Sequence, residues 1–146
     1  MPKIFATSLA GILIATLVLY AIGSIWYGLL FEEPWLASAG MTKDEATAIM
    51  DGLGPMMFVW GLLITLLQVL GLTYILNQSS ASLLGTCVKI CAIVAILIAL
   101  PIMCYAHLYE GRPINGLFLD FGNVFIGYCV AGAILSFFRG KDAIGD

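Results

Sequence analysis

The sequence predicts an all-α integral membrane protein: four transmembrane helices in an antiparallel bundle, with a short external amphipathic helix between spans one and two. Three observations carry that expectation. Hydrophobic residues make up 62% of the chain and charged residues 10%, where soluble domains carry roughly a quarter charged. Mean hydropathy is +1.05, more apolar surface than so few charges can keep in water. The apolar residues fall into four runs, each reaching the ~20 residues a helix needs to cross a ~30 Å hydrocarbon layer. With 146 residues there is room for one membrane domain, 1–146. The net charge of −3 comes with no basic run, which excludes nucleic acid as a partner. The lipid bilayer is the partner the composition demands.

The first span covers residues 4–31, from Ile4 to Phe31. Lys3 and the small residues around Ala21-Ile22-Gly23 also fit a cleaved leader. The apolar run is long for one, and Trp26-Tyr27 follows as an interfacial anchor, so a retained helix is expected. Glu32 to Gly54 is the distinctly polar stretch. Thr42-Lys43-Asp44-Glu45 has capping-box spacing, with threonine at the cap and glutamate three residues on. Ala46, Ile49, Met50 and Leu53 then recur at helical spacing, with Lys43, Glu45 and Asp51 elsewhere on the wheel. That is an amphipathic helix lying on the bilayer surface. Gly52-Leu53-Gly54-Pro55 ends it and opens the second span, 55–77, with Trp60 near its start and Gln68 near its middle. Asn77 to Ser82 is a polar turn short enough to force an antiparallel hairpin. The third span, 83–105, carries Lys89 near one end and Pro101 near the other. Pro101 removes a backbone hydrogen bond and should kink the helix. The fourth span, 117–138, closes on Arg139-Gly140-Lys141.

Lys3, Arg139 and Lys141 share one side of such a bundle, and Lys89 can snorkel to it; Lys43 and Arg112 lie on the other. The positive-inside rule then places both termini in the cytoplasm and the chain in the inner membrane. Small residues four apart, at Gly11/Ala15, Ala95/Ala99, Gly127/Ala131 and Gly132/Ser136, let helices approach closely, most of all in the fourth span. The four cysteines, Cys87, Cys91, Cys104 and Cys129, form no Cys-x-x-Cys pair. Cys87 and Cys91 share a helix face that could ligate a soft metal, but thiols in apolar spans pack as small hydrophobes, so neither a metal site nor a disulfide is expected.

Trp26-Tyr27-Gly28-x-Leu30-Phe31, followed by Trp35 and Gly40, resembles the first motif of a bacterial membrane family known as domain of unknown function 1761. Gly52-x-Gly54 ahead of the second span fits it as well. So does Tyr109-Glu110-Gly111-Arg112-Pro113, followed by Leu117, Leu119, Gly122 and Gly132-Ala133-Ile134-Leu135. The likeness covers nearly the whole chain, and the aromatic-Glu-x-basic-Pro turn is its most specific part. It implies a small multi-pass membrane protein and carries no activity with it. The family pattern has asparagine where this chain has Ala106, and often where it has Asp120.

Candidate site residues gather where spans three and four meet at the outer rim: His107, Glu110, Arg112, Asp120 and Asn123. Asp120, Asn123 and Gly127 lie on one helix face. An ionised Asp costs roughly 2.5–3.5 kcal/mol at a helix centre and less near an end, and Arg112 is the partner available to offset it. One reading is a polar pocket in which His107 titrates near neutral pH and a small solute binds. The other, simpler one is a salt-bridged, capped loop that fixes the hairpin. Gln68 is expected to make one interhelical hydrogen bond, and Lys89 to reach the inner headgroups. Trp26, Tyr27, Trp35, Trp60, Tyr105 and Tyr109 read as an aromatic belt. One histidine, no glycine-rich phosphate loop and no nucleophile elbow leave no catalytic set, and no cofactor is implied. The expected role is therefore non-enzymatic, a structural, accessory or self-associating subunit forming a homo-oligomer or joining a larger membrane complex. The alternative is a transporter or solute-binding protein using an external polar pocket between spans three and four.

Overall fold

Four helices in the computed structural model, which describes residues 3–139, are long and apolar enough to cross a membrane. They are Leu9–Leu30, Met56–Gln78, Leu84–Glu110 and Ile114–Phe138. Lys141 lies outside the described residues.

The first helix begins later than its hydropathy suggests. Lys3–Ile4 (β1) and Thr7–Ser8 (β2) pair as a small antiparallel hairpin, and helix α1 runs Leu9–Ile25. Ser8 sets that boundary. Its hydroxyl accepts the Gly11 N–H at 3.2 Å, an N-cap inside an apolar run. The hairpin turns through Phe5 and Ala6 at φ 48° and 58°, a region that side chains disfavour. The Phe5 ring meets Tyr74 edge-on at 5.2 Å, and Thr7 pairs with Arg139. Arg139 is thereby buried and its Nη2 donates to the Leu76 carbonyl at 3.1 Å. It does not extend to the headgroups.

A π-helical turn, Trp26–Leu30, prolongs α1, and a helix α2 follows over Glu32–Ala39. Glu32 and Glu33 in its first turn suit the helix dipole, and Gly40 closes it at φ 65°. Helix α3, Lys43–Leu53, is the expected amphipathic element. Thr42 Oγ1 accepts the Glu45 N–H at 3.3 Å, while Glu45 Oε2 accepts the Thr42 N–H at 2.8 Å, a complete capping box. Helix α4 is Met56–Gln78. The third long helix consists of α5 (Leu84–Val94), a π-helical turn (Ala95–Ala99) and α6 (Leu100–Glu110). Pro101 explains the interruption. It has no N–H for the carbonyl one turn back, and the chain widens just ahead of it, with Leu100 N–H bonded to the Ala95 carbonyl. Helix α7, Ile114–Phe138, starts directly after Pro113. Asp120 therefore lies nearly two turns inside it, not one.

Glycines set how the helices approach. Gly11 faces Phe138, Gly61 faces Tyr20, Gly127 faces Leu19 and Gly132 faces Cys91. Gly11–Phe138 at one end and Tyr27–Asp120 at the other make α1 and α7 run in opposite senses. A methyl group on Gly132 would stand 2.8 Å from Cys91 Sγ and 3.0 Å from the Cys87 carbonyl oxygen. Three of the four small-residue faces are thus filled within the chain, at Gly11, Gly127 and Gly132, and Cys87 and Cys91 pack as small apolar groups against them.

The main core lies toward one end, while Leu36, His107 and Leu117 are buried toward the other. Ile12, Ala15 and Leu19 of α1 meet Val69, Leu72 and Leu76 of α4, Cys87 and Cys91 of α5, and Ala131 and Leu135 of α7. No residue of α4 ahead of Val69 is buried. Beside that half of α4 the helices therefore enclose a cleft rather than a core.

Candidate functional site

The five residues expected to converge fall into three groups, of which His107 and the Glu110–Arg112 pair adjoin, His107 and Arg112 both lining a cavity of about 480 Å³ between α6 and α7. His107 is buried on α6, and its Nδ1 lies 3.0 Å from the Met103 carbonyl of its own helix. Facing a carbonyl, Nδ1 is the donor in that bond. The start of α7 and the side of α2 cover the ring: a methyl on Gly116 would be 3.2 Å from His107 Nε2 and 3.0 Å from Ser38 Oγ. Glu110 and Arg112 pair with each other at 2.6 Å, both half exposed, around a turn in which Gly111 takes φ 68°. Arg112 neutralises Glu110 and is not the partner of Asp120.

Asp120 and Asn123 face α1. They share a helix face with Gly127, and Gly127 packs on Leu19, so the whole face turns that way. Tyr27 donates its hydroxyl to Asp120 Oδ1 at 2.9 Å, and Trp26 Nε1 donates to the Leu119 carbonyl at 3.2 Å. The Asn123 side chain also reaches the Tyr27 hydroxyl, while its own Oδ1 is buried with no donor. Trp26 packs on Phe31 with ring centroids 4.6 Å apart, and Tyr27 on Trp35 at 5.8 Å. These aromatics brace α1, α2 and α7 at one junction, which is more than an interfacial belt does.

Beside this junction lies a cavity of about 290 Å³ between α1, α4 and α7. Tyr20, Ser24, Thr65, Gln68, Asn123 and Tyr128 supply its hydrogen-bonding groups. Ser24 donates to the Tyr20 carbonyl at 3.0 Å and Thr65 to the Gly61 carbonyl at 2.8 Å, so both hydroxyl oxygens remain free to accept. Gln68 is exposed at the middle of α4 and has no hydrogen-bond partner among the described residues. The interhelical bond expected of it is not made among the described residues, because Gln68 lies on a face of α4 that no neighbouring helix covers. A second cavity of about 230 Å³, walled by Val94, Ile98, Ala99, Ile102 and Met103, shares Gln68, Val124 and Tyr128 with the first. No charged side chain lines either one, and Lys89 is exposed near the Leu84 end, away from both.

The arrangement can hold a neutral group by hydrogen bonds; among its lining residues none offers a nucleophile paired with a base. Sequence reasoning named Gln68 and Asn123 but not Tyr20, Ser24, Thr65 or Tyr128. Their signal is spacing, with Tyr20/Ser24 four apart and Thr65/Gln68 three apart, so that each pair shares a helix face. The structure also brings the aromatic stretch at Trp26–Trp35 onto the Leu119–Gly122 stretch, where a methyl on Gly122 would touch the Trp26 ring at 3.1 Å.

Comparisons with curated proteins and with solved structures give no match. Residues 10–136 match a family described as "Protein of unknown function (DUF1761)". That match takes in both contacting stretches and all four long helices, and the chain belongs to this family.

Proposed function

We propose that the chain is an integral protein of the inner membrane that binds a small neutral molecule in the outer half of an antiparallel four-span bundle. The Leu9 and Phe138 ends face the cytoplasm in this reading, with α2 and α3 on the external side. Charge supports the orientation, since Lys3, Lys89 and Arg139 lie toward one end and Lys43 and Arg112 toward the other. The observation that carries the binding reading is Gln68, an exposed primary amide at mid-span between two cavities. An amide left unbonded in hydrocarbon costs several kcal/mol, of order 2–7, so water, a ligand or a partner chain meets it, and its place between two cavities favours the ligand. This reading puts the ligand among α1, α4 and α7; a separate cavity of about 480 Å³, lined by His107, Arg112 and Leu117, lies between spans three and four but holds no unbonded mid-span amide.

Native mass spectrometry of the protein, released from polymer discs cut from its own membrane, tests this. The wild type should carry a retained non-protein mass that Val124→Trp, filling the wall shared by both cavities, releases. No retained mass in the wild type overturns the reading.

An accessory or self-associating role is the second reading, favoured by the outer half of α4. Phe58, Trp60, Ile64 and Leu67 are exposed there, and Gly71 has nothing within 4 Å. Cysteine cross-linking from position 64 in native membranes should then trap a partner or second copy; a chain that stays solitary removes this reading.

A further inference from the structure

We infer that the ligand is a membrane-resident amphiphile, with a neutral head that both donates and accepts hydrogen bonds in the polar cavity and a hydrocarbon tail leaving between α4 and α6. This rests on the binding reading proposed for the same cleft.

Polarity runs in one direction through the two cavities. The first is rimmed by hydroxyls and amides; the second, beyond Gln68, Val124 and Tyr128, has walls of Val94, Ile98, Ile102 and Met103. The second opens sideways. Ile98 and Ile102 line it yet are 52% and 65% exposed, and Leu67 on the facing helix is 69% exposed. All three belong to helices long and apolar enough to span a bilayer, so the surface they expose is surface for acyl chains. The volumes of about 290 and 230 Å³ together fall within the ~300–1,000 Å³ usual for small-molecule sites. A π-helical turn, Ala95–Ala99, contributes to the apolar wall, the kind of helix irregularity often found at binding sites.

The head must be neutral. No lining side chain carries a charge, and the nearest carboxylate on the same face, Asp120, has its Oδ1 bonded by Tyr27. A phosphate would lose its water and gain no cation. The head must also hydrogen-bond in both senses. The Ser24 and Thr65 oxygens are free acceptors, their protons being held within their own helices, while the Tyr20 and Tyr128 hydroxyls and the Gln68 amide are unbonded donors among the described residues. A free hydroxyl, as in diacylglycerol or a long-chain alcohol, answers both; a head that only accepts, such as a quinone or a full ester, leaves the two hydroxyl acceptors unused.

Protein isolated in native-membrane discs is extracted, and the organic and aqueous phases are analysed separately by mass spectrometry. A neutral lipid with a free hydroxyl or amide should be enriched several-fold over the bulk membrane. It should return to the bulk level in Val124→Trp and in Gln68→Leu, which adds no volume and sits at an exposed position. In reconstituted discs, a photoreactive diacylglycerol should label Ile98–Met103 more than a phosphatidic acid with the same tails. Equal labelling by the two probes, or lipids only at bulk ratios, overturns the inference. A Val124→Trp-sensitive solute found in the aqueous phase overturns it too, while leaving the binding reading standing. Nothing in either phase overturns both.

Discussion

Tyr27 and Asp120 show how one hydrogen bond can reconcile an acid with a helix interior. The hydroxyl-to-carboxylate bond of 2.9 Å is charge-assisted, a class worth about 1.5–3 kcal/mol. Tyr27→Phe should therefore destabilise the fold by about 2 kcal/mol, read as a lower midpoint in a detergent unfolding titration. Asp120→Asn keeps an acceptor for Tyr27 and should cost less than about 1 kcal/mol. Arg139 makes the opposite case. Its Nη2 bonds the Leu76 carbonyl, but Nε and Nη1 are buried with no acceptor among the described residues, and burial pushes its pKa down. Arg139→Met forfeits about 1 kcal/mol of hydrogen bond and relieves a desolvated cation, a change that returns 1–4 kcal/mol elsewhere. The variant should unfold at higher detergent fraction, by about 1 kcal/mol. Neither partner was readable from sequence. A cation after an apolar run suits headgroups equally well, and the β1–β2 hairpin that buries Arg139 is hidden in an apolar stretch with no alternation.

At the scale of elements, legibility follows how local the cause is. The α3 cap was readable because Thr42 and Glu45 are three residues apart and complete each other's bonds. Glu45 is held below its ordinary 4.5 by the Thr42 backbone N–H first and the Thr42 hydroxyl second. A depressed carboxylate stabilises the helix above its unfolded pKa, and that contribution fades as pH falls through the folded value. Hydrogen exchange at the Thr42 and Glu45 amides should therefore gain relative protection at neutral pH and lose it in acid; a Glu45→Gln variant should lack this step. The interruption ahead of Pro101 was readable, but not its form as a π-helical turn, and no proline directly follows the turn at Trp26–Leu30 to explain it. The start of α7 directly after Pro113 lies ahead of the apolar run that marked the span. Glycine packing lies between. Small residues were visible, but not what each one meets. Gly132→Ala would press on the Cys87 backbone at 3.0 Å and should cost about 1–3 kcal/mol. Gly127→Ala meets only the end of the Leu19 side chain, which can turn aside, and should cost less. Unfolding titrations of the two variants would rank them.

For the whole molecule, four long apolar helices were plain from composition, whereas the choice of packed faces was not. A helix apolar all round has no stripe to mark its inner side. The cleft was invisible for the same reason: Gln68 and Leu72 are one helical turn apart, yet the first is exposed and the second buried in the core. In lipid the transfer of a leucine into the interior gains little, so stability comes from packing. Apolar positions packed in the interior should then register a truncation, and lipid-facing ones should not. Leu72→Ala and Leu135→Ala, each buried in the main core, should destabilise by about 2 kcal/mol, the low end of the range for buried leucines in water. Leu63→Ala and Ile102→Ala, both exposed, should stay within about 0.5 kcal/mol. An unfolding series in mixed micelles separates the two sets. Equal losses in the two sets would mean that the outer halves of α4 and α6 pack against protein, and the lateral opening would close with them.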